Sequence, residues 1–219
     1  MVVFNGFFNI DKTVPKYQEI TITEVAEPTY EPVSLAEMKD YLKVDTSDDN
    51  TLISALIHTA RKQVENELGG LAIVKRNFTQ KQSGGLERLE ILKSPLNSIA
   101  SIVYYDSFAS TGSTVTASDY RYVSNNVYHI NNFFDYGRDA DGYVITFNAG
   151  IVADTSTASI TGPNSIRVAI MRIASYLYEN RQDYAKNWNE GNWSINYDKT
   201  LRNDINLLLM PYHTGKGLF

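Results

Sequence analysis

The sequence predicts an α+β chain: a mainly helical bundle formed by residues 34–68 and 163–210, with an antiparallel β region, 71–153, inserted between its halves. Three observations carry this. Pro163–Arg181 repeats apolar residues at helix spacing in two directions, with Ile166, Ala169, Ile170, Ile173, Ala174 and Leu177 on one face and Val168, Met171, Ser175 and Tyr178 on a second stripe. Ser34-Leu35-Ala36-Glu37 has the form of a capping box, the start signal of an earlier helix. At Gly69-Gly70 the apolar period changes from about 3.6 to about 2, the difference between helix and strand.

Taken in order, residues 1–33 read as an extended N-terminal arm, with Pro15, Pro28 and Pro32 and the acids Asp11, Glu19, Glu24, Glu27 and Glu31. Within it Glu19–Val25 alternates as an exposed or edge-pairing strand would. Leu35, Met38 and Leu42 then make a short amphipathic helix that ends near Val44. Asp45–Asp49 is a turn whose acids suit the positive start of the next helix. That helix runs from about Asn50 to Leu68. Its buried stripe is Leu52, Ile53, Leu56, Ile57, Ala60, Val64 and Leu68; Ser54, His58, Arg61, Lys62 and Glu65 form its wet face. Gly69-Gly70 stops it, since glycine enters a left-handed cap at little cost.

Strands are expected at Ala72–Gln82, Leu86–Leu92, Ile99–Tyr105, Tyr120–Ser124, Val127–Ile130 and Tyr143–Asn148, as one small sheet. Turn signals such as Ser83-Gly84-Gly85, Ser94-Pro95 and Asn125-Asn126 separate them. Phe133, Phe134 and Tyr136 fall in a loop between strands, where they form a contact site if exposed and a sheet cap if folded back. After the two-faced helix, Gln182–Tyr197 carries Trp188 and Trp193 and reads as a draping loop. Lys199–Met210 is the last helix, with Leu201, Ile205 and Leu208 inward and Leu207, Leu209 and Met210 facing elsewhere. Pro211 ends it. The arm (1–33), a single domain (34–210) and a flexible tail (211–219) complete the organisation.

The bulk numbers bound the function. With 219 residues the chain can bury a real core. There are no cysteines, which removes disulfides and thiolate chemistry. The opening MVVFNGFFNIDK is not expected to be a signal peptide, and no apolar run reaches the roughly 18 residues of a membrane span. A net charge of −5 argues against a broad grip on nucleic acid, though duplex DNA can pass without sticking. Fifteen tyrosines outnumber nine phenylalanines, which suits half-buried strands and subunit contacts.

Catalytic signatures are missing. No phosphate-binding G-x-x-x-x-G-K-[ST] or G-x-S-x-G elbow occurs. His58, His129 and His213 are scattered, and Asp139-Ala140-Asp141-Gly142 reads as a hairpin turn because Gly150 stands where a calcium loop needs an acid. Carboxylates distant in sequence can still meet in space. The expectation is no enzyme, no cofactor and no metal. The second stripe of the 163–181 helix (Val168, Met171, Ser175, Tyr178) exceeds what one buried face needs and is expected to pack against another subunit.

Several stretches, in their order and spacing, form a recognisable pattern. Glu31–Lys39 leads to Leu42-Lys43-Val44-Asp45, then Asp48-Asp49, Leu52-Ile53 and Ala60–Glu65; Ser94-Pro95-Leu96, Ser101–Asp106, Asn148-Ala149-Gly150 and Tyr178–Arg181 follow. From about Glu31 to Tyr212 this resembles the head–tail connector (adaptor, or head-completion) proteins of tailed bacteriophages, related to the HK97 and SPP1 adaptors. The resemblance implies a structural virion protein in the neck, made in the host cytoplasm. It implies a ring homo-oligomer, usually of twelve copies, stacked beneath the portal protein. The bore would continue the DNA channel towards a stopper or tail protein, with no sequence-specific DNA binding and no membrane. Lys199–Phe219 then becomes the expected portal-docking element, through Leu207, Leu209, Met210, Tyr212, Leu218 and Phe219. Phe133, Phe134 and Tyr136 become a distal contact. The competing reading is a monomeric binding module or assembly chaperone of similar α+β architecture.

Overall fold

A computed structural model of the chain describes residues 20–83, 88–105, 111–129, 142–156, 163–180 and 199–212. Among them are four helices: α1 (Leu35–Leu42), α2 (Asn50–Glu67), α3 (Asn164–Glu179) and α4 (Lys199–Leu209). The strands are β1 (Ile20–Glu24), β2 (Arg76–Gln82), β3 (Arg88–Glu90), β4 (Leu96–Tyr104), β5 (Ser113–Thr114), β6 (Tyr120–Val123), β7 (Asn126–His129) and β8 (Tyr143–Ala149). All strand pairings between them are antiparallel, so the chain is α+β as expected.

The helices share one core. Ile53, Ile57, Ala60, Val64 and Leu68 of the α2 side meet Ile166, Ala169, Ile170, Ile173, Ala174 and Leu177 of α3, and Ile205 and Leu209 of α4 close the other side. Full burial of one such isoleucine stabilises by about 1.5–3 kcal/mol. Leu52, expected in the α2 stripe, is 37% exposed, because its neighbour Ile53 already points inward. Leu209, expected to face away from the bundle, is fully buried, one helical turn on from Ile205 on the same face.

Helix starts hold in part. Ser34 caps α1, its Oγ accepting the Glu37 N–H at 3.2 Å. The Glu37 carboxylate pairs with Arg167 of α3, tying two helices together. Asp49 stands at the start of α2 without a side-chain capping bond; it accepts the Tyr178 hydroxyl of α3.

The β region forms two sheets where one was expected. The larger has the order β1-β2-β8-β4-β5 and the smaller β3-β7-β6. The edge strand β1 comes from the N-terminal segment, so residues 20–24 belong to the sheet. Period-2 alternation turns Phe78 of β2 and Tyr143, Ile145, Phe147 and Ala149 of β8 inward, against Leu89, Ile91 and Val127 from the smaller sheet's side. Phe78 and Phe147 are register partners and stack with centroids 5.7 Å apart. Gln80 links the sheets, donating to the Glu90 carbonyl at 2.6 Å and accepting the Leu92 N–H at 3.0 Å.

Residues 71–74 join the two cores: Leu71, Ile73 and Val74 enter the helical one and Ala72 the sheet. Gly150 permits this join. Its φ is +144°, and a Cβ there would lie 2.5 Å from the Lys75 backbone.

Candidate functional site

The most organised polar structure among the described residues lies where the N-terminal segment crosses α2. Arg61 is fully buried and Glu65 is 4% exposed, whereas the sequence placed both on a wet face. Glu24, Glu27 and Glu31 cover them. Arg61 donates from Nε to Glu31 at 2.7 Å, from Nη2 to Glu27 at 2.9 Å and from Nη1 to Glu65 at 3.2 Å. Glu65 also accepts two bonds from Arg76 of β2, at 3.0 and 2.7 Å, and the Ile73 N–H at 2.9 Å. Glu24 pairs with Arg76, and Lys62 with Glu27. His58, expected to be simply solvated, sits with Nδ1 3.3 Å from Glu31.

One cluster therefore fastens three pieces of chain: residues 24–31, α2 and β2. Burial pushes the Glu27 carboxyl up, but the hydrogen bonds and charges of Lys62 and Arg61 prevail and hold it at about 2. Burial likewise pushes the Arg61 and Arg76 guanidinium groups down, and the surrounding carboxylates more than reverse it. Both stay charged. Asp154 completes the attachment, accepting the backbone N–H groups of Thr29 and Tyr30 at 3.0 and 2.8 Å. The cluster is built for holding: every carboxylate in it faces a cation. Among the described residues no group of three or more His, Asp or Glu could hold a metal ion, and no helix is long and apolar enough to cross a membrane.

Two apolar surfaces are the other candidates. On α3, Val168, Met171, Ser175 and Tyr178 do line up on one stripe, and each is half-buried. Met171 and Tyr178 pack on the chain's own helical core, and Ser175 Oγ donates to Glu179 at 3.1 Å. At the end of α4, Leu207 and Met210 are 69% and 68% exposed, three residues apart and so on one face. Tyr212 is half-buried against the helical core beside them. Arg172 of α3 pairs with Asp204 of α4 and helps hold that helix in place. Leu218 and Phe219, and Phe133, Phe134 and Tyr136, lie outside the described residues.

The ionic cluster was missed because a charged stripe on a helix reads as solvated. A signal was present nevertheless. Glu24, Glu27 and Glu31 form an acidic run in a stretch, 20–31, without lysine or arginine, and Arg61 and Lys62 form its complement.

No protein-family model matches the chain, and no curated protein matches it by sequence. Solved structures do match. A chain of the structure described as the neck of an empty gene transfer agent particle, computed with C6 symmetry, superposes with a TM-score of 0.67 at 17% identity; the match covers 90% of this chain and 97% of that one. A chain in the virion of a native gene transfer agent particle gives 0.65 at 18% identity, and one in the native neck computed with C12 symmetry gives 0.65 at 17%, with the same coverage. Agreement over nearly the full length of both chains means that the helical layer and the β region match together: this chain has the fold of a chain found in the necks of gene transfer agent particles.

Proposed function

We propose that the chain is a structural neck subunit, a head–tail connector of a tailed-phage-like particle, that forms a ring and extends the DNA channel below the portal. The observation that carries this is the full-length likeness to chains of particle necks, in structures computed with C6 and C12 symmetry. Twelve copies is the proposed number. The exposed Leu207–Met210 face, with the tail that follows Tyr212, is the proposed portal contact, and the half-buried stripe Val168, Met171, Ser175 and Tyr178 the proposed contact between copies. Docked twelve times around a ring, a small apolar face gains by avidity what it lacks in area. A net charge of −5 keeps the bore from gripping phosphates as clustered cations would. A stopper or tail protein would cover the distal side, and the work of the chain is assembly, with no catalysis.

The deciding experiment mixes the purified chain with the portal protein encoded beside its gene and images the product by electron microscopy. A ring coaxial with the portal is expected. A chain that binds as scattered monomers, or only to another protein as a chaperone would, overturns the proposal.

A further inference from the structure

The five-stranded sheet has two unlike edges. On the far side β5 covers only Val103 and Tyr104 of β4, and β4 carries register shifts at Leu96/Ser98 and Ile99/Ser101. Bulges of this kind blunt an edge against pairing. β1 has none of these protections. It is five regular residues, Ile20-Thr21-Ile22-Thr23-Glu24, without proline, lysine or bulge, and no described strand lies beyond it. Its single charge, Glu24, is drawn inward to Arg76.

The direction of the free groups follows from one bond. Val25 N–H donates to the Asn77 carbonyl of β2 at 3.0 Å. Alternate residues of a strand turn their polar groups the same way, so Thr21 and Thr23 serve β2 while Ile20, Ile22 and Glu24 turn theirs outward. The ionic cluster clamps the segment directly after β1 and so anchors the end of this edge. Beside it Thr21, Thr23 and Val25 form one exposed face, Val25 at 58%.

We infer that the free edge of β1 receives residues 1–19 of a neighbouring copy of this chain as an added strand. The inference rests on the ring reading above and supplies a way to close the ring. Nineteen residues precede β1, a reach of about 60 Å at roughly 3.3 Å per residue. Val2, Val3, Phe4, Phe7, Phe8 and Ile10 give that segment apolar side chains to set beside Val25. Each copy then offers one donor segment and one acceptor edge, two different pieces of chain. Such a head-to-tail contact propagates around a ring, whereas pairing β1 with β1 would stop at a dimer.

The test uses the full chain with a photo-reactive benzoylphenylalanine in place of Phe8, as a one-to-one mixture of heavy-isotope-labelled and unlabelled copies. It is irradiated alone and on the portal, and cross-linked peptides are read by mass spectrometry. The expected cross-links join the segment to residues 20–25, with mixed-isotope pairs in the statistical share. In parallel, Phe4→Asp with Phe7→Asp should leave the circular dichroism unchanged and cut the ring fraction at least tenfold. Rings whose cross-links stay within one copy, or land elsewhere, overturn this inference alone, as does an aspartate variant that assembles like the parent. A chain that stays monomeric even with the portal overturns the ring reading as well.

Discussion

Replacing Glu65 with alanine removes the one carboxylate shared by two buried arginines. Glu65 is 4% exposed and accepts bonds from Arg61, from Arg76 twice, and from the Ile73 N–H. Removing one partner of a buried ion pair typically costs about 3–5 kcal/mol, because the other charge stays behind unpaired. Here the remainder is softened. Arg61 keeps Glu27 and Glu31, Arg76 keeps Glu24, and those glutamates are 23–43% exposed, so water screens what is left. The orphaned Ile73 N–H adds about 1–3 kcal/mol in the other direction. The net expectation is a loss of about 3–4 kcal/mol. For a chain of this size that corresponds to a drop in Tm of roughly 10 °C. Urea unfolding of the parent and Glu65→Ala measures it, and Glu65→Gln, which keeps an acceptor for Ile73, should fall between them. A loss within about 1 kcal/mol, the range of an exposed pair, would refute the claim that the cluster is a structural fastening.

Three further outcomes follow. The Glu27 carboxyl is held at about 2 against an ordinary 4.5, so its contribution is fully present above about 4.5 and fades as the pH falls towards 2; hydrogen exchange at residues 24–31 should accelerate over that window before α3 does. Leu207→Glu with Met210→Glu, both about two-thirds exposed, should change the melting temperature little and reduce portal binding at least tenfold in a pull-down. Gly150→Ala should destabilise by several kcal/mol in urea, because both the positive φ and the 2.5 Å approach of Lys75 exclude a side chain.

The helical layer was legible in the sequence because its signals are local. The buried residues of α3 are the same six that the spacing selected, and Ser34 does cap α1. What periodicity could not decide was what covers a face. A helix turns His58, Arg61, Lys62 and Glu65 to one side whether water or Glu24, Glu27 and Glu31 lies over them. Leu209 failed for a related reason. A three-residue stripe on an 11-residue helix leaves the inward direction open by about one residue, and only contact with α3 selects Ile205 and Leu209 over Leu208. The split into two sheets was equally beyond reach, since strand order depends on pairings between residues as distant as Arg76 and Ala149.

The placement of the ionic cluster gives it a meaning beyond stability. Well-packed apolar residues could hold α2 against β2 as firmly as Arg61, Glu65 and Arg76 do, since a buried ion pair has no general advantage over them. An apolar seat, however, accepts many registers of an incoming segment. Three glutamates set against three cations, with Asp154 taking the N–H groups of Thr29 and Tyr30, accept one. The cluster therefore specifies where residues 20–31 lie. Substituting Arg61→Met, Glu65→Leu and Arg76→Met together should separate these roles. Global stability is expected to fall by no more than about 1–3 kcal/mol, the cost of the Ile73 N–H that loses its acceptor, because no buried charge is left alone. Protection of the β1 amides from hydrogen exchange should nevertheless fall at least tenfold, as Glu24, Glu27 and Glu31 lose their seats. Unchanged β1 protection would show that the strand ladder alone places the segment.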